Sequence, residues 1–154
     1  METDAESVSR ALLDAVPLAM RAIRAEMRRR RGADLPVPAF RALLFLQRNT
    51  GAPLKAVADH LGLTCPTVSK MVQGLVARGL VERPDSKTDR RRVALRLTAK
   101  GNTLVDKVRG ETADALAEKI ATLPAADRTR LAAALQTLDI IFRPRPPDDA
   151  GAQR

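Results

Sequence analysis

The chain has 154 residues, enough for one compact domain, and its 27 Lys and Arg against 18 Asp and Glu leave a net charge of +9. That balance favours a polyanionic partner, of which DNA or RNA is the usual one. No apolar run approaches the roughly 20 residues that cross a bilayer, the acidic start Met1-Glu2-Thr3-Asp4 is wrong for a secretory signal, and one cysteine allows no internal disulfide, so a cytoplasmic protein is expected.

Residues 5–31 read as mostly helical, with Leu12, Val16, Ala19, Ile23 and Met27 in a nearly heptad-like stripe. Pro17 removes a backbone donor facing Leu13, which predicts a kink, or a break into a short lead-in helix and a longer second piece. The four arginines Arg28 to Arg31 have two readings: a solvated helix end that complements the macrodipole, or direct contact with phosphate. A loop over 32–37 follows, and Pro38 can open a second helix with Phe40, Leu43, Leu44 and Gln47 on one side. Asn49-Thr50-Gly51 gives a turn. Pro53 then opens a short helix striped by Leu54, Val57, Ala58 and Leu61, with Leu61-Gly62-Leu63 as the next turn.

The stretch from Leu61 to Gly101 organises the rest. Val68, Met71, Val72, Leu75 and Val76 recur at helical spacing and mark a buried side. Thr64 is the expected N-cap and Gly79 the C-terminal stop. The opposite side carries Pro66, Lys70, Gln73 and Ala77, flanked by Thr67 and Ser69, and this short, polar or cationic set suits a helix that enters the DNA major groove. Two strands are expected next, over 80–83 and 92–97, with Val93, Leu95 and Leu97 inward and Ala94 and Arg96 outward. Between them lies the basic, turn-rich run Pro84-Asp85-Ser86-Lys87-Thr88-Asp89-Arg90-Arg91. Two short helices, a hairpin and a basic tip make a winged helix-turn-helix in a mainly α chain.

The residues Leu75-Val76-Ala77-Arg78-Gly79-Leu80-Val81-Glu82-Arg83, then Asp89-Arg90-Arg91, then Leu97-Thr98 and Gly101 are similar to the L-x-x-x-G-L-[IV]-x-R, D-x-R and L-T-x-x-G pattern of the MarR-type winged-helix transcription factors. The match covers the central third of the chain, and the helices on both sides fit that family's layout. The resemblance implies that Asp89 braces the wing through a nearby arginine, that Arg91 reaches towards the minor groove, and that the helix from Thr64 to Arg78 reads the major groove. It also implies a homodimer built from the terminal helices, and repression relieved by small anionic or aromatic compounds lodged between the DNA-binding lobe and the dimerisation helices.

A long helix over 98–120, with Leu104, Val105, Val108, Leu116 and Ile120 on one flank, follows the wing, and Gly110 and Thr112 invite a bend in it. Leu123-Pro124 marks a break before a last helix over 125–142 striped by Leu131, Leu135, Leu138 and Ile141 or Phe142. Apolar stripes at both ends of the chain cannot all bury themselves on a small winged-helix core, so a second copy is the economical cover. The expected organisation is an N-terminal dimerisation helix (5–31), a DNA-binding lobe (38–101), C-terminal dimerisation helices (102–142) and a polar, proline-rich disordered tail (143–154). No internal repeat is evident.

Two reading helices related by a two-fold axis would face successive major grooves about 34 Å apart, which predicts an inverted-repeat target on double-stranded DNA. The candidate DNA contacts on the helix are Thr64, Pro66, Thr67, Ser69, Lys70 and Gln73; those on the wing are Lys87, Arg90, Arg91 and Arg92. Lys70 and the wing arginines would neutralise phosphates, while Thr67, Ser69 and Gln73 are candidates for base edges or, equally, for phosphate. With Tyr and Trp absent, an effector pocket would be mainly aliphatic, drawn from Phe40 and Leu44, with Arg21, Arg24 or Arg41 as carboxylate partners; surface exposure is the plainer fate of the three arginines.

Cys65, in the first turn of the reading helix, is either an oxidation or alkylation switch or simply a small apolar residue. Peroxide sensors of the resembled family carry their reactive cysteine near the start of the first long helix, where this chain has none. His60 reads as a helix-end cap or surface residue, and Met20, Met27 and Met71 as core or interface fillers. One Cys and one His offer no metal cluster of the usual spacing, and neither a G-x-G-x-x-G run, a P-loop nor a G-x-S-x-G elbow occurs. Asp85 and Asp89 form the conspicuous carboxylate pair, on a basic loop where turning the wing is their expected work. Neither an enzyme nor a cofactor is expected. The leading expectation is a dimeric, sequence-specific transcriptional regulator; the alternatives are an architectural, non-specific nucleic-acid binder and a winged helix used only to hold another protein.

Overall fold

The computed structural model describes residues 4–83 and 94–143. Its first helix, α1 (Ala5–Arg30), is capped by Asp4, whose carboxylate accepts the backbone N–H of Ser7 at 2.7 Å. Of the kink or break expected at Pro17, the break does not occur: a single helix runs through it. Pro17 and Leu13 both lie on the exposed side, where water can donate to the carbonyl that proline leaves unpaired. Arg29 and Arg30 turn back on the buried Glu26, at 3.1 and 2.5 Å, which fits the helix-end reading for these two arginines.

Helix α2 (Val37–Arg48) starts one residue earlier than the proline signal implied, with Pro36 as cap and Pro38 in the first turn. It crosses behind α3 (Leu54–Leu61) and α4 (Cys65–Ala77). Leu43 and Leu46 of α2, Val57 of α3 and Val68 and Val72 of α4 are wholly buried together, and Leu95, Val105 and Val108 close the same core. Gly62 ends α3 in the left-handed conformation, φ +67°, and turns the chain into α4.

Three short strands complete the lobe: β1 (Ala52–Pro53), β2 (Val81–Glu82) and β3 (Ala94–Leu97), in the antiparallel order β1-β3-β2. Val81 faces Leu97 and Glu82 faces Arg96, so the base of the expected hairpin is present, shorter than the sequence pattern suggested. Leu95 is buried and Arg96 exposed, as alternation requires, while Ala94 is half-buried. Strand β1 was not expected; Ala52 pairs with Leu95 and Pro53 with Ala94 on the far edge of β3.

Helix α5 (Ala99–Ala121) is continuous past Gly110, so the invited bend does not divide it. Thr112 is buried rather than breaking the stripe, because its hydroxyl donates to the Val108 carbonyl at 2.6 Å. The chain forms two compact units, Met1–Ala115 and Leu116–Arg154. In the second, Pro124 caps α6 (Ala125–Phe142), and the Arg128 guanidinium donates to the Leu123 carbonyl at 2.8 Å. No residue of α6 is buried.

Candidate nucleic-acid interface

Helix α4 owes its position to its apolar stripe. Val68, Val72 and Leu75 are buried, Met71 is half-buried, and Val76, expected on the same stripe, stands exposed at its margin. The reverse side is therefore turned to solvent, and Pro66, Thr67, Lys70, Gln73 and Ala77 are all exposed there, with Ser69 half-buried at the edge. The Thr64 hydroxyl accepts from the Thr67 N–H at 3.4 Å and lies 2.8 Å from the Thr67 hydroxyl. Thr64 thus shapes the start of the helix, while Lys70 and Gln73 are exposed on the solvent side.

The far end of α4 is fixed by several polar contacts. Gly79 adopts φ +68°, which lets the chain turn sharply into Leu80. The Thr98 hydroxyl donates to the Gly79 carbonyl at 2.6 Å and accepts from the Gly101 N–H at 3.0 Å, so one side chain joins the end of α4 to the start of α5. Lys100 donates to the Arg78 carbonyl at 3.0 Å. Arg78 reaches across to Asp34, meeting its carbonyl at 3.0 Å and its carboxylate at 2.8 Å. Sequence reading missed Asp34, Arg78 and Lys100 as positioning residues. A Thr just before a helix is a readable N-cap signal, whereas nothing in the sequence links Asp34 to Arg78.

On α3, Lys55 donates to both Asp59 oxygens, at 3.2 and 2.9 Å, and this bond and its charge hold the ammonium pKa above its ordinary value. The His60 ring is exposed and stacks on Phe45 with centroids 4.5 Å apart; the end of α3 is capped by Gly62 rather than by the histidine.

The wing candidates Lys87, Asp89, Arg90, Arg91 and Arg92, together with Asp85 and the strand residue Val93, lie outside the described residues, as does the tail from Pro144 onward. Among the proposed effector contacts, Arg21, Arg24 and Arg41 are exposed, Leu44 is half-buried, and Phe40 belongs to the core. Cys65 is exposed in the first turn of α4. Among the described residues, no group of three His, Cys, Asp or Glu is placed to hold a metal ion, and no helix is long and apolar enough to cross a membrane.

Among curated proteins none matches the sequence. Residues 33–92 match the model of the MarR family. The transcriptional regulator Tm0710 from Thermotoga maritima superposes with a TM-score of 0.75 at 20% identity, over 86% of this chain and 94% of that one. A point mutant of MepR from Staphylococcus aureus, bound to an oligodeoxyribonucleotide, gives 0.59 at 22% identity, over 82% and 97%. The MarR family protein Rv2887 of Mycobacterium tuberculosis, in complex with salicylic acid, gives 0.55 at 24% identity, over 80% and 95%. Residues 33–92 thus resemble the MarR family, and the mainly helical chain shares the winged helix-turn-helix fold of these solved structures.

Proposed function

We propose that this chain is a homodimeric, sequence-specific DNA-binding regulator, working in the cytoplasm as a repressor that a small anionic or aromatic molecule releases. The observation that carries the proposal is the exposed side of α4, where Pro66, Thr67, Lys70 and Gln73 are displayed opposite the buried Val68, Val72 and Leu75. A helix of that kind, presented by a helix-turn-helix, fits the major groove. The basic segment holding Lys87, Arg90, Arg91 and Arg92 joins β2 to β3 and would meet phosphates beside it, with Asp89 bracing it. The DNA-bound MepR mutant supports this reading.

Dimerisation is supported by apolar side chains that the lone chain leaves in water. Val8, Leu13 and Leu18 are exposed on α1, and Leu135, Ile140, Ile141 and Phe142 on α6. Large apolar side chains left exposed in this number favour a cover, and a second copy would supply one. The lobe over 38–101 would then be carried by dimerisation helices at 5–31 and 102–142. The salicylic acid complex of Rv2887 supports a carboxylate effector, for which Arg21, Arg24 and Arg41 offer exposed guanidinium groups and Leu44 an apolar edge. An effector that prefers the dimer with its reading helices wrongly spaced lowers DNA affinity through linkage.

The test is selection of bound DNA from random duplexes, repeated with salicylate and a panel of related carboxylates and phenols. An inverted repeat that survives excess random competitor establishes the regulator, and its loss with one compound identifies the effector class. Equal binding of every duplex would replace this reading with an architectural role.

A further inference from the structure

Gln47, in the last turn of α2, shares a side of that helix with Phe40, Leu43 and Leu44, a polar residue where the stripe calls for an apolar one. Its amide reaches α5. The NH2 group donates to the Asp106 carboxylate at 2.7 Å, and the amide oxygen accepts from the Arg109 guanidinium at a looser 3.5 Å. The two charges fix which way the amide points, since a carboxylate only accepts and a guanidinium only donates. Pairs such as Lys107 with Glu111 stay within one helix, whereas this set joins two.

The other attachments of α5 to the lobe leave one motion open. The Thr98 hydroxyl pins the start of the helix, and Gly101, Val105, Val108 and Thr112 are its buried residues, with none after Thr112. Apolar burial is non-directional, so it resists separation more than it fixes an angle. Hydrogen bonds are directional. Asp106 and Arg109 stand on the exposed side of the last packed turns, where bonds to α2 oppose a swing about Thr98.

We propose that Gln47, Asp106 and Arg109 form a positioning contact that sets the angle at which α5 leaves the DNA-binding lobe, and with it the half-site spacing that the proposed dimer accepts. This rests on the proposed DNA-binding dimer and deepens it. The 23 residues of α5 extend about 34 Å at about 1.5 Å each, so a tilt of roughly 6° displaces one end against the other by about 3.5 Å. That is about the rise of one base pair. With the far end of α5 held in the dimer, the same tilt carries each reading helix by a comparable distance along the duplex.

The experiment uses the full chain and duplexes in which two selected half-sites are separated by a varied number of base pairs. Gln47→Leu and Asp106→Leu remove the contact, whereas Asp106→Asn leaves an acceptor for the Gln47 amide and is the conservative control. Both leucine variants are expected to shift or broaden the preferred spacing by about one base pair and to bind the wild-type repeat roughly tenfold more weakly, with single half-sites bound as before. Asp106→Asn should keep the wild-type spacing. An unchanged spacing preference in both leucine variants overturns the inference, and so does an equal loss on single half-sites, which would make the contact a matter of lobe stability. Sedimentation velocity is read alongside: leucine variants that become monomers also overturn it, since the contact would then hold the dimer together rather than aim the lobe. If the unaltered chain selects no inverted repeat, the regulator proposal itself fails and this inference with it.

Discussion

The carbonyl oxygen of Leu80 stands 2.1 Å from where a β-carbon on Gly101 would be. The atom in the way is backbone, so no side-chain rotation can relieve the clash, and either β2 or the first turn of α5 would have to move. Gly101→Ala is expected to cost about 2 kcal/mol, which lowers Tm by roughly 4–8 °C in a chain of this size. Gly110 in the same helix meets nothing within 4 Å, so Gly110→Ala should instead stabilise by up to about 1 kcal/mol. Thermal unfolding of the two variants side by side checks both, and equal shifts would remove the steric account.

Thr98 works through its hydroxyl, which bonds Gly79 on one side and Gly101 on the other. Thr98→Val keeps the shape and deletes both bonds, for an expected loss of about 1–2 kcal/mol, and Thr98→Ser should recover most of it. Urea denaturation measures the pair. Equal stability of the Val and wild-type chains would mean that the hydroxyl does not hold this joint.

For the reading face, Lys70→Ala should weaken binding to all duplexes alike and flatten the dependence of log K on log salt by roughly 2 for a dimer. Gln73→Ala should leave that slope nearly unchanged and relax base preference at one position of each half-site. Salt titrations and a second round of selection separate the two. A Gln73→Ala protein that selects the same sequence as wild type would show that Gln73 reads no base.

Leu135 is 55% exposed in the middle of α6. Leu135→Glu places charge on the apolar face and should convert the proposed dimer to monomer, with loss of tight binding to an inverted repeat while single-site contacts remain weak. Sedimentation velocity gives the mass directly. A variant that stays dimeric would exclude this face from the interface.

Much of the lobe was legible because its elements obey simple periods. Val68, Val72 and Leu75 fixed the buried side of α4, and the polar residues opposite followed from geometry alone. The strand β1 was not legible, since two residues, one of them the edge proline Pro53, carry no period at all. At Pro17, where a kink or a break was expected, the helix is not broken, because the proline stands on the exposed side of α1. The contact between Asp34 and Arg78 had no signal, because two residues 44 apart meet only once the fold exists.

That contact and its neighbour from Lys100 differ in kind from the rest of α4's support. Val68 and Val72 root the helix in a dry core, while the bonds at Arg78 stand in water, where an ion pair is worth well under about 1 kcal/mol. The helix thus has a firm root and a lightly steadied tip. Its aim can be trimmed at the tip, from the loop after α1 or the opening turn of α5, without unpacking anything beneath it.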